Sequence, residues 1–424
     1  MIIWVSFSVF IALPWISDIS QVFTKTIAVL IVGGIAIIPG AAMAFVYATM
    51  AYFKHKKPKE NYGELVSVLV AAYNEEDSII DTLNSLTKQN YLGDIEIIVC
   101  NDGSTDRTGE LVDNYIDNFE GDRKKFRLKH IQLEKNSGKS EALNAGLKIA
   151  DAAATITVDA DTTLHDNAIQ FLVNKLMFGD KKPSAVAGVV LVKNTFKNFM
   201  TRIQHWDYMV GMSAVKRAQS AYGATLVAQG AFSAYKTEIL KKIGGWDNTV
   251  GEDIVLSWKM LDEDFIIDYE PNAIVFTNVP TTYKTFFHQR KRWSRGLIEA
   301  FRNTPKLLLK RKEYVPFIYY NALFPFLDIC FVFVFLPSVI AAVFFQWYLL
   351  ASLVTLLILP LGVFLNFLIF FKQKDTLKKN RLSINQNFLG FIYFIFLYQI
   401  IQVPATLAGY FSEIFKLKKS WGTK

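Results

Sequence analysis

Two carboxylates two residues apart, Asp159 and Asp161, close the β-branched run Thr155-Ile156-Thr157-Val158. Side chains at i and i+2 of a strand leave the same face. Such a pair repels itself unless a cation, a proton or solvent screens it. A divalent metal holding a diphosphate is the usual chemistry for two hard oxygen ligands placed this way; a surface turn with nothing bound is the plain alternative. Three more polar clusters follow apolar runs: Ala72-Tyr73-Asn74-Glu75, Asn101-Asp102-Gly103-Ser104 and Gly138-Lys139-Ser140. A second acidic pair, Glu252-Asp253 behind Gly251, opens an amphipathic stretch with Ile254, Leu256, Trp258 and Leu261. The basic, aromatic segment Gln289-Arg290-Lys291-Arg292-Trp293 then precedes a long apolar block.

These residues need strand ends to hold them. Leu65–Ala72, Ile95–Cys100, Arg127–Leu133 and Ala154–Val158 are short apolar runs bounded by turn residues, which predicts four strands. Helices are predicted between them. Asn74 is expected to cap one that starts in the acidic turn Glu75-Glu76-Asp77, Thr105 or Asp106 a second, and a third begins near Lys139. Strand and helix alternation predicts an α/β domain with an open, mostly parallel sheet covered on both faces. Ligands of such sheets bind at the carboxyl ends of the strands. Each polar cluster alone is a weak signal, but four on one edge make a site.

The chain is 424 residues long, 52% hydrophobic and 14% aromatic, with mean hydropathy +0.24, which excludes an ordinary soluble enzyme. Its apolar residues are blocked. Ile27–Phe53 is long enough to span a bilayer, and Ile2–Ile16, with Pro14, is read as a shorter retained segment. Tyr319–Phe344 and Trp347–Phe371 are two further expected spans, and a last block, Phe388–Phe411, contains Pro404. The expected divisions are 1–53 (N-terminal membrane segments), 54–284 (soluble domain), 285–315 (amphipathic interfacial helices), 316–411 (membrane or re-entrant helices) and 412–424 (basic tail). Basic flanks at Lys54–Lys59, Lys310–Lys312, Lys372–Lys379 and Lys416–Lys419 place the domain and the C-terminus in the cytoplasm. Three full spans after the domain would put Lys416–Lys419 outside, so Phe388–Phe411 is expected as a re-entrant or interfacial pair of short helices around Pro404. The net charge of +8 is then membrane-flanking charge rather than a nucleic-acid patch. Cys100 and Cys330 imply neither a disulfide nor a metal framework.

The ordered set Ala72-Tyr73-Asn74-Glu75, Asn101-Asp102-Gly103, Asp159-Ala160-Asp161, Gly251-Glu252-Asp253 and Gln289-x-x-Arg292-Trp293 resembles the membrane-integrated, processive family 2 glycosyltransferases. That group includes cellulose, chitin, hyaluronan and poly-N-acetylglucosamine synthases. The resemblance implies a GT-A domain between membrane helices, a UDP-sugar donor and Mg²⁺ or Mn²⁺. It assigns Ala72, Tyr73, Glu75, Asp102, Lys139, Asp159 and Arg292 to the donor, Asp102 to its uracil, and Asp161 to the metal. Asp253 becomes the general base beside Glu252, with Gly251 standing where many members carry Thr. Trp293, Gln289, Gln229, Gly230 and Asp207 are assigned to the acceptor. Trp421, Gly422 and Thr423 resemble the C-terminal tail that closes over the donor in hyaluronan synthases, with Lys424 in place of Arg.

The activity implied by the resemblance is that of a processive, inverting β-glycosyltransferase of the plasma membrane. Poly-β-1,6-N-acetylglucosamine made from UDP-N-acetylglucosamine is the favoured product, because the stretches around Lys216, Asp253 and Tyr269-Glu270-Pro271 look closest to that branch. Hyaluronan or chitin synthesis is the runner-up, followed by a single-transfer enzyme making a glycolipid. The expected partners are the UDP-sugar, the growing polysaccharide, the lipid bilayer and, as an open option, a small membrane accessory subunit, with no nucleic acid. A transporter carrying a nucleotide domain is the rival class; the scarcity of intramembrane charge, Asp328 apart, argues against an ion pathway.

Overall fold

In the computed structural model, which describes residues 2–53, 56, 58, 60–348, 353–379 and 387–418, an eight-stranded sheet organises the middle of the chain. Its strands are β1 (Val66–Ala72), β2 (Ile95–Asn101), β3 (Phe126–Gln132), β4 (Ala154–Asp159), β5 (Thr162–Leu164), β6 (Ala185–Val192), β7 (Phe232–Lys236) and β8 (Ile267–Thr277). The order is β3-β2-β1-β4-β7-β6-β8-β5. β3, β2, β1 and β4 run parallel, as the alternation of apolar runs predicts. β7 lies antiparallel to both β4 and β6, and β5 antiparallel to β8, so the sheet is mixed. The register pairs Ala71 with Asp159 and Ala72 with Asn101, which brings the ends of β1, β2 and β4 to one edge.

Alternate residues of the central strands feed two cores. Val66, Val68 and Val70 join one with Ile79, Leu83 and Leu172. Leu69, Ile98 and Cys100 join the other with Leu143, Leu256 and Trp258. This period of two is why both faces are covered. The helix after β1 starts at Ile79 rather than in the acidic turn. Asn74 does not cap it: the residue sits at φ +55, where Asn is tolerated, and its Oδ1 accepts from the Thr105 N–H at 2.8 Å. Asn74 thus ties the loop after β1 to the loop after β2.

Among the described residues, three helices are long and apolar enough to cross a membrane: Lys25–Tyr52, Val315–Phe345 and Phe388–Ile414. Shorter or more charged helices cover Ile2–Ser20 and Leu353–Lys379. Phe388–Ile414 is one helix through Pro404, which corrects the expected pair of short helices. It nevertheless lies along the soluble domain. Ahead of its first turn the Asn387 carbonyl accepts from the Trp206 indole N–H at 2.8 Å. In its last turn Glu413, 2% exposed, receives Arg295 at 3.2 Å and Arg302 at 2.7 Å, both from the helix Tyr283–Asn303. Its outer flank presents Phe388, Phe396, Ile400, Phe411 and Ile414. Thr406 also donates to Asp328 at 2.6 Å, binding this helix to Val315–Phe345.

Candidate active site

The acids read from the sequence converge at the sheet edge. Asp159 ends β4, and the Lys139 ammonium, in the first turn of the helix Lys139–Ile149, donates to its Oδ1. Lys139 lies 3.6 Å from Glu252 as well. Burial works against this ammonium, but Asp159, Glu252 and Asp253 outweigh it and hold it above the ordinary lysine range. A half-buried lysine tip at this edge can meet diphosphate oxygens as a compact cation. Glu252 is itself 6% exposed, and burial pushes its carboxyl up to about 7, opposed by Lys139, reinforced by Asp253 and opposed by Arg292. Arg292, on the helix Tyr283–Asn303, brings its positive charge within electrostatic reach of Glu252.

Asp161 lies one turn of chain beyond. Its Oδ1 accepts from the hydroxyls of Thr277 (3.1 Å) and Thr162 (3.3 Å). Burial, then Asp159 and Glu75, push its carboxyl up to about 6. That concentration of negative charge on hard oxygens fits a divalent cation. No three His, Cys, Asp or Glu side chains among the described residues close around an ion by themselves. Such a site suits Mg²⁺ or Mn²⁺, which take one or two protein carboxylates and complete their shell with phosphate and water.

Asp253 stands in the first turn of the helix Glu252–Asp262, whose dipole favours a carboxylate. Its Oδ2 accepts from the Gly230 N–H at 3.3 Å, and its carbonyl accepts from the Ser257 hydroxyl at 2.6 Å. Gly230 is pressed into the site: a Cβ there would lie 2.7 Å from Lys139 Nζ. The opening of this helix touches the helix Tyr283–Asn303 backbone to backbone, since a Cβ on Gly251 would lie 2.5 Å from Gly296 Cα. That contact is the local reason for glycine at 251 in this chain.

The other assigned residues have these contacts. Asp102 fastens a loop: its two oxygens accept from the Ser137 and Gly138 N–H groups, each at 2.8 Å, just ahead of Lys139. Ala72 is buried, and its carbonyl accepts from the Asp102 N–H at 2.8 Å, while Tyr73 is 40% exposed beside it. Glu75 accepts from the Ser78 hydroxyl at 2.7 Å. Gln229 donates from its Nε2 to the Gly188 carbonyl of β6 at 2.7 Å, and among the described residues its buried Oε1 has no partner. Asp207 is likewise engaged within the protein, paired with Arg290 at 2.8 Å. Gln289 sits one residue earlier, with a buried Oε1 that lacks a partner. Trp421, Gly422 and Thr423 lie outside the described residues.

Arg290, Tyr208 and Tyr398 were not legible as site residues. Arg290 is 4% exposed, with its guanidinium 4.1 Å from the Trp293 ring and 4.9 Å from Phe286. Phe286, Arg290 and Trp293 follow i, i+4, i+7 spacing, a helical stripe that could have exposed the role of Arg290. The Tyr398 hydroxyl, from Phe388–Ile414, faces Asp207. Tyr208 packs 6.3 Å from Trp293, and burial, with Asp207, Asp161 and Asp159, raises its phenol. Through Tyr208 the Trp293 cluster adjoins the acids at the end of β4.

Comparison with known proteins agrees with this geometry. The family model described as Glycosyl transferase family 2 matches residues 67–244. The poly-beta-1,6-N-acetyl-D-glucosamine synthase of Staphylococcus epidermidis ATCC 35984 is 35% identical over 241 residues, 57% of this chain and 56% of that protein. The protein of the same name from Staphylococcus aureus MSSA476 is 33% identical over 276 residues, 63% of this chain and 65% of that one. The chain thus spans less than two thirds of the length of these relatives. A mannosyltransferase from Pyrobaculum calidifontis, solved with GDP-Man and Mn²⁺, superposes with TM-score 0.57 over 89% of this chain and 96% of that one, at 17% identity, a likeness of fold. Residues 67–244 are thus similar to glycosyl transferase family 2 domains, and the mixed sheet with acids on its edge agrees with that match.

Proposed function

We propose that the chain is a processive, inverting β-glycosyltransferase that polymerises UDP-N-acetylglucosamine into poly-β-1,6-N-acetylglucosamine and passes the polymer across the plasma membrane. The observation that carries the proposal is the meeting of two sets of residues. Lys139, Asp159, Asp161, Glu252 and Asp253 gather at the sheet edge, and Arg292 and Trp293 reach them from a helix lying against an apolar one. The names of the staphylococcal relatives support the sugar and linkage.

In this reading the donor diphosphate lies against Lys139 and Arg292, with its sugar toward Asp253. Asp253 takes the proton of the acceptor hydroxyl as that oxygen bonds to C1 of the donor. The C1–phosphate oxygen bond breaks, and UDP leaves with the electron pair. A divalent ion held by Asp161 and Asp159 would supply charge stabilisation to the leaving diphosphate. Trp293 offers a ring face to the terminal sugar, and Arg290 beneath it keeps that ring from turning away. Asp102 contributes by fixing the loop that aims Lys139. The soluble domain lies in the cytoplasm, and Phe388–Ile414 keeps one flank on it and its apolar flank in lipid, so that the basic tail stays on the domain side.

The test is to incubate membranes carrying the protein with single UDP-sugars and digest the product with linkage-specific glycosidases. UDP-N-acetylglucosamine is expected to give a long product cut only by a β-1,6-specific enzyme. Polymer from UDP-glucuronate plus UDP-N-acetylglucosamine, or a β-1,4-linked product, would overturn the assignment of sugar and linkage.

A further inference from the structure

We infer that Glu299 is a positioning residue for the general base, an inference that rests on the reading of Asp253 given above. The helix Glu252–Asp262 starts behind Gly251, which has no side chain with which to cap it. Amides at such an end need acceptors from elsewhere. Glu299 supplies one from the helix Tyr283–Asn303: its Oε2 accepts from the Val250 N–H at 2.8 Å and the Gly251 N–H at 3.1 Å. The residue is 3% exposed. A buried carboxylate is costly unless hydrogen bonds satisfy it, so its place here is structurally committed.

The position of Glu299 on its helix explains the consequence. Arg292, Gly296 and Glu299 follow i, i+4, i+7 spacing and so share one face. Arg292 acts electrostatically on Glu252, Gly296 meets the Gly251 backbone, and Glu299 grips the two amides just before Glu252. One rigid helix therefore sets the acceptor ring of Trp293 and the backbone from which Asp253 projects. Gly230 fixes only the far end of the Asp253 side chain. Without Glu299, the start of that helix loses the one side-chain anchor described for its Val250 and Gly251 amides, while the acceptor ring keeps its own. A displacement of about 1 Å between base and hydroxyl costs roughly 100-fold in rate.

The test is a double-mutant cycle on the full chain in native membranes, with UDP-N-acetylglucosamine as donor. Glu299→Gln keeps the shape and loses the charge; kcat is expected to fall about tenfold, with donor KM within about twofold and the thermal midpoint nearly unchanged. Glu299→Ala should fall further, to roughly one hundredth. In an Asp253→Asn background Glu299→Gln should remove nothing more, because the group it positions is already absent. If the two losses multiply, Glu299 is structural and the inference fails. It fails too if Glu299→Gln turns over like wild type while Asp253→Asn is inactive. An Asp253→Asn protein with wild-type turnover instead overturns the assignment of the base itself. Glu299→Asp, which keeps the charge and withdraws it by one methylene, runs the same cycle if the Gln protein is not recovered folded.

Discussion

Gly230→Ala is the substitution that most directly tests the assembly of the donor site. The backbone at 230 lies outside the left-handed region, and its N–H bond to Asp253 is compatible with alanine. The new methyl, however, would stand 2.7 Å from Lys139 Nζ and 3.6 Å from Glu252 Oε1. The lysine tip is the movable party, and it must retreat by about 0.7–1 Å to reach an ordinary contact distance. At an effective dielectric of about 20, two unit charges attract by roughly 5.5 kcal/mol at 3 Å and roughly 4 kcal/mol at 4 Å. Retreat from Asp159 and Glu252 together therefore costs about 2 kcal/mol of charge placement, or about 30-fold in kcat/KM. Stability should fall by only about 1–1.6 kcal/mol, because alanine also lowers the entropy of the unfolded chain, which is worth about 0.4–1 kcal/mol. The assay is UDP release with each donor sugar, alongside the thermal midpoint. Unchanged kcat/KM would refute the placement of Lys139 in the site, and a loss of turnover matched by a loss of folded protein would refute the claim that the effect is local.

Three other outcomes are expected from the same geometry. Asp161→Ala should lose about 100-fold in turnover together with metal-stimulated UDP binding, and a variant as active in EDTA as wild type is in Mg²⁺ or Mn²⁺ would count against a metal at this position. Trp293→Ala should shorten the polymer about tenfold, given about 1–1.5 kcal/mol for one aromatic contact, while donor hydrolysis stays within a few-fold; unchanged product length would leave the ring as a packing group. Glu252, raised by burial from 4.5 to about 7, binds more protons folded than unfolded between those values. Its contribution to stability is therefore full below about pH 4.5 and lost as pH rises toward 7. Glu252→Gln should flatten that slope in thermal denaturation measured against pH, and a parallel slope in the variant would reject the cause.

Much of the candidate donor half was legible because the proposed chemistry depends on strand ends. An apolar run followed by acids locates a strand and its carboxyl edge together, so Lys139, Asp159, Asp161 and Glu252-Asp253 were found without knowing any contact. The residues that escaped depend on helices packed across long sequence separations. Glu299 looks like surface charge until Gly296 is seen against Gly251. Arg290 was overshadowed by Arg292, yet burial and stacking belong to Arg290. Gln229 has a contact that the sequence hid: a polar residue beside a glycine resembles a loop ligand, and here its Nε2 also satisfies a buried carbonyl of β6. Pro404 predicted a break that the packing of Phe388–Ile414 against two other helices overrides.

The joint of Glu413 with Arg295 and Arg302 has a practical consequence for handling the protein. It fixes the Trp293 helix to a helix whose outer flank is a row of exposed aromatic and aliphatic side chains. Solubilisation replaces the bilayer on that flank with a detergent micelle, a softer and more curved support. Lys139, Asp159 and Asp161, held by the sheet and its own helices, are insulated from that exchange, whereas Trp293, proposed to grip the chain end, and Asp253, tied to the same helix through Glu299, are not. Extraction should therefore shorten the product and slow transfer while UDP binding at the strand ends is retained, and returning the protein to lipid should restore both.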